Sequence, residues 1–119
     1  VRQRAYAPYS GFLVGAAFKL GDSPEPIAGC NVENASYGAT LCAERNALFH
    51  AISAHGAPPD CAYLVLVTDT EAPTVPCAQC LQVLSEFCSP EFPIHLANLH
   101  GHQESVLLGS LLPRPFHKF

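Results

Sequence analysis

Apolar and polar positions along the chain fall into blocks of two periods. FLVGAAFKL, residues 12–20, is a mostly apolar run of β-favouring residues, and GDSPEP interrupts it with Gly, Asp and two prolines, a turn signal. PIAGCNV resumes as a short strand, so residues 12–32 predict a hairpin. TLCAERNALFHAISAHG predicts a helix: Leu41, Leu48 and Ile52 share one stripe, Thr40 is placed to cap it and Gly56 to end it. AYLVLVT, residues 62–68, is an unbroken apolar run, the signature of a strand covered on both faces. After the loop DTEAPTVP, a second helix is predicted over 77–88 and a strand over 93–99. A turn follows at 100–103, then a short helix near 106–112, and the tail LLPRPFHKF is too rich in proline to continue it.

Strands alternating with helices predict one α/β domain over residues 1–119, with a sheet between helices. A domain of 119 residues buries one core but does not easily hold a large cleft of its own. Composition adds a hint: 49% hydrophobic and 13% charged residues leave apolar surface for contacts between subunits. The formal net charge is −4 and the six Lys and Arg are scattered, which argues against nucleic acid as a partner. No apolar run approaches a bilayer span, and VRQRAYAPYS lacks the apolar core of a secretory signal. The expectation is a cytoplasmic protein with no membrane partner.

The six cysteines change the picture. Small secreted scaffolds use dense cysteine to compensate for thin cores, and this chain is not core-poor, so a disulfide framework is disfavoured. Cys77 and Cys80 stand three apart at a helix start behind Pro76, which puts both sulfurs on one side of the first turn, where helix amides favour thiolate. Cys42 opens the other long helix. Three thiolates near two helix starts can converge on one soft cation, most often zinc. His50 and His55 lie too far along their helix to supply a fourth ligand. The pattern offers Glu44 instead, two residues from Cys42; in mid-helix it points away, but near a helix start it leans over the vacant vertex. Three thiolates around zinc leave a net negative charge that makes bound water less acidic, and Arg45 is positioned to offset it by bonding the thiolates. A lone C-x-x-C also suits a redox dithiol; C-A-E upstream and P-C-x-x-C downstream, both at helix starts, are far more specific.

These residues resemble the zinc nucleobase deaminase signature, and their cysteine form is similar to the small homotetrameric cytidine deaminases. AYAPYSGFLVGAAF resembles that family's opening hairpin, GCNVENASYG its substrate loop and LLPRPF its C-terminal end, in family order. The resemblance implies a three-layer α/β/α sandwich with a mixed central sheet, one zinc per subunit, a tetramer with shared active sites, and cytidine and 2′-deoxycytidine as substrates. It implies zinc ligation by Cys42, Cys77 and Cys80, and Glu44 as the proton shuttle between water, N3 of the base and the departing amine. Asn31 and Glu33, turned to one side by alternation about Val32, would hold the sugar hydroxyls, and Phe12 would stack beside the base. Ala35 and Tyr37 would line a neighbouring subunit's pocket, and Phe116 would enter another subunit's site from the tail.

Taken without the resemblance, Phe12 is a core residue and Asn31 and Glu33 a polar turn; the alternative for Phe116 is a tail residue packed on its own domain, and for Arg45 a surface cation in a solvated salt bridge. Cys30, Cys61 and Cys88 match no ligand pattern and read as small apolar packing, and Tyr9 as support for the hairpin. The family commonly reads P-C-G-x-C-R-Q, whereas this chain has PCAQCLQ; Leu81 in place of arginine removes a positive charge and leaves Arg45 as the main compensation. Two other functions compete: deamination of a modified cytosine nucleoside or nucleoside antibiotic, and a catalytically silent zinc-stabilised binding protein.

Overall fold

The structure, a computed structural model, describes residues 1–21, 23–57 and 60–117. Asp22 of the expected turn and the last two residues of the tail, Lys118 and Phe119, lie outside the described residues. Strand β1 (Val14–Leu20) pairs antiparallel with β2 (Ile27–Cys30), as the hairpin pattern predicts. Helix α1 (Ala43–His55) follows, then β3 (Cys61–Thr68), α2 (Ala78–Phe87), β4 (Pro93–Asn98), β5 (Gln103–Leu107) and the single turn α3 (Leu108–Leu111). The sheet order is β2-β1-β3-β4-β5, with β3 and β4 parallel and every other pair antiparallel. A parallel pair needs a long crossover, and α2 supplies it.

Alternation along the strands decides which face meets the helices. Val14, Ala16, Phe18 and Leu20 of β1, Leu64 and Leu66 of β3, and Ile94 and Leu96 of β4 are buried together with Ala47, Leu48 and Ala51 of α1 and Leu81 and Leu84 of α2. Phe18 stacks on Phe92 within this core, with ring centroids 5.7 Å apart. Gly29 of β2 shares the inner face: a Cβ there would lie 2.5 Å from the Ala47 amide nitrogen, so the missing side chain is what lets α1 lie against the hairpin. The opposite face carries Gly15, Ala17, Val65 and Val67, and the 3₁₀ turn Arg2–Arg4 lies over it. Of the three layers expected, the sheet and the α1/α2 layer are full, while among the described residues the third is represented by that turn. No helix among them is long and apolar enough to cross a membrane.

Two expectations are corrected. Thr40 does not cap α1: its hydroxyl accepts the Asn34 amide, and Cys42, with extended backbone (φ −70°, ψ 155°), is the cap residue. The region expected as a turn and then a helix contains the edge strand β5, and the helix shrinks to Leu108–Leu111. Asn98 explains the difference. Its side-chain oxygen accepts the His100 and His102 amides, forming a tight reversal that sends Gln103–Leu107 back along β4.

Candidate active site

The N-termini of α1 and α2 meet beside the carboxyl end of β3, and both helices begin on a cysteine. Cys77 is the cap residue of α2 (φ −68°, ψ 161°), and its sulfur accepts the Cys80 amide at 3.4 Å, the role usually given to a Ser or Asp oxygen. Because Cys42 and Cys77 have extended backbones, the 100° step between helical residues does not apply to them. Their sulfurs lie 3.9 Å apart, Cys77 and Cys80 sulfurs 3.4 Å apart, and all three fall within 4.8 Å of one another. That donor set fits one soft metal ion with a vertex left open.

The electrostatics concentrate negative charge on Cys42. A hydrogen bond from Cys80, joined by the Arg45 guanidinium and opposed by burial, pulls the Cys42 thiol down to about 5. The same bond holds the proton on Cys80, whose pKa rises. Arg45 Nη2 donates to Cys42 Sγ at 3.3 Å and to the Thr40 carbonyl at 3.5 Å, while its Nε is buried with no hydrogen-bond partner. Glu44 is buried beside the thiols, and burial, with the nearby Cys42 charge, raises its pKa. Leu81 is buried in the core against the sheet, so the position that resembles a family arginine serves here in packing.

Cys42, Cys77 and Glu44 open into a cavity of about 370 Å³, whose other walls include Phe12, Asn31 and Glu33. Phe12 is therefore a wall residue, not a core one. Asn31 is buried: its oxygen accepts the Val14 amide and its nitrogen donates to the Phe12 carbonyl, both at 2.8 Å, leaving one N–H and one lone pair for a ligand. Val32 exchanges backbone hydrogen bonds with Leu41, which ties this loop to the residue before Cys42. Glu33 accepts from the Tyr9 and Ser10 amides at 2.9 and 3.1 Å and from the Ser10 hydroxyl, and that hydroxyl is the main cause of its lowered pKa.

Ala35, Tyr37 and Phe116 do not line this cavity in their own chain. Tyr37 walls an adjoining hollow that shares Ser10, Glu33 and Thr40 with it, and its ring meets that of Tyr9 edge-on. Ala35 is exposed on the loop between them. Sequence reading missed Ser10, Thr68, Thr74 and Val75 at the site.

An α/β sheet with three thiols and a buried carboxylate at two helix starts fits a metal-dependent hydrolytic centre. Residues 1–96 match the family model described as the cytidine and deoxycytidylate deaminase zinc-binding region. The cytidine deaminase of Sporosarcina psychrophila is 44% identical over 98% of this chain and 84% of its own length. That of Mycobacterium tuberculosis is 40% identical over 94% and 78%. Among solved structures, the cytidine deaminase of Burkholderia pseudomallei superposes with a TM-score of 0.91 at 45% identity, covering 97% of this chain and 90% of that one. The chain belongs to the cytidine deaminase family, with that family's α/β fold and its zinc cofactor, one ion per subunit.

Proposed function

We propose that this single domain hydrolyses cytidine and 2′-deoxycytidine to the uridine products and ammonia, in the cytoplasm, as a homotetramer with shared sites. One observation carries the reading: Cys42 and Cys77 of the three-thiol cluster, Glu44, Asn31 and Glu33 all wall one cavity. Cys42, Cys77 and Cys80 hold the zinc, which supplies a Lewis acid that lets water ionise near neutral pH. Glu44 accepts a proton from the attacking water and delivers it to N3 of the base as the new C4–O bond forms. It then carries the second proton to the amino group as the C4–N bond breaks. A raised pKa suits a carboxylate that must both take and give protons.

Phe12 offers an aromatic face to the base, the Asn31 amide donates to and accepts from the sugar hydroxyls, and the Glu33 carboxylate accepts from them. Arg45 offsets the negative charge of the sulfur ligands. Ala35, Tyr37 and Phe116 act on a neighbouring subunit's site. Among the described residues no cysteine is in a disulfide, which supports a reducing compartment. Cytidine turnover followed by ultraviolet absorbance, alongside zinc stoichiometry, tests the proposal. Loss of zinc without the three thiols and loss of turnover without Glu44 are expected; a zinc-loaded protein inert toward both nucleosides overturns it.

A further inference from the structure

Phe116 combines two properties that rarely occur together. The residue is 64% exposed, yet its backbone is held at both polar atoms by one side chain. Gln82 Nε2 donates to the Phe116 carbonyl at 2.7 Å, and Gln82 Oε1 accepts the Phe116 amide at 2.9 Å. Upstream, Pro113 and Pro115 each fix their own φ and restrict the residue before them. The tail therefore reaches Phe116 along a stiff path and is clamped there. Gln82 is two residues beyond Cys80 on α2, the helix whose start is set by Cys77, so the clamp registers the tail against the helix that carries two of the three thiols. Phe116 is not among the residues that line the chain's own cavity.

We propose that Gln82 is a positioning residue: it presents the Phe116 ring to the active-site cavity of a second copy of this chain and thereby sets nucleoside affinity. The inference rests on the shared-site reading above. The apolar rim of the receiving cavity, Phe12 and Val75, is exposed in the single chain and is the surface such a ring covers.

The test is steady-state kinetics on the zinc-loaded enzyme. Gln82→Ala is expected to raise KM for cytidine about tenfold, the scale of one aromatic contact, with kcat and zinc content within about twofold of the parent. Phe116→Ala is expected to match it, and the double variant to add nothing. Gln82→Glu keeps the acceptor for the Phe116 amide but loses the donor, so its KM falls between; it also serves as the readout if Gln82→Ala does not fold. In mixed assemblies of Glu44→Gln and Gln82→Ala chains, some sites pair an intact Glu44 with a neighbour's intact clamp. A low-KM component then returns. Unchanged KM in a tetrameric Gln82→Ala or Gln82→Glu protein overturns the inference, as does the absence of a low-KM component in co-purified hybrids. A parent enzyme that sediments as a monomer and still has low KM overturns the shared-site reading itself.

Discussion

Cys42 and Cys77 each begin a helix and each contribute a sulfur to the cluster, so their orientation is fixed by backbone geometry before any metal arrives. Glu44 lies one residue inside α1 and is buried, and Glu44→Gln keeps the shape while removing the proposed proton carrier. We expect full zinc content with turnover reduced about 10²–10⁴-fold, checked by metal analysis and absorbance kinetics on one preparation. Arg45→Ala removes the donor to Cys42 and should lower zinc retention against a competing chelator about 10–100-fold, the range typical of partners that orient metal ligands. Glu33 gives a pH prediction. Its folded pKa is lowered chiefly by the Ser10 hydroxyl, so its stabilising contribution is present above the ordinary glutamate value, about 4.3, and is lost as pH falls through the folded value. The Tm gap between the parent and Glu33→Gln should stay level from about pH 7 to about pH 5 and close on further acidification. The thiols and Glu44 were legible in the sequence because their chemistry is concentrated in two short motifs. Ser10 and Thr68 were not, because only pairing with residues 23 or more positions away brings them to the cavity.

At the scale of elements, the approach of α1 to β2 is the contact on which the site depends. Gly29→Ala forces a Cβ against the Ala47 backbone, and α1 must shift, carrying Cys42 and Glu44 with it. We expect a loss of about 1–3 kcal/mol by denaturant unfolding, together with reduced zinc content. Gly38→Ala meets no atom within 4 Å and should stay within about 0.5 kcal/mol of the parent. The strands and long helices were readable because each has one strong period and a buried face. β5 was not: four of its five residues are exposed and three are polar, and pairing with β4 through the Asn98 reversal makes it a strand. The start of α1 was misread for a related reason. Threonine is a better capping residue than cysteine by propensity, but Thr40 is already committed to the Asn34 amide.

The whole molecule assembles its site from distant parts of the chain. Cys42 and Cys77 are 35 positions apart, and β1, β3 and β4 must pair before the two helix starts face each other. The isolated C-x-x-C at the start of α2 supplies two sulfurs; the third comes only with the finished sheet. Ion capture is therefore a late event, a seal on a completed architecture and not a seed for it. Refolding rates measured with and without zinc should agree, while the zinc-loaded protein unfolds more slowly and at higher denaturant. A newly made chain in a metal-starved cell would on this account reach its native shape first and wait, already folded, for its ion.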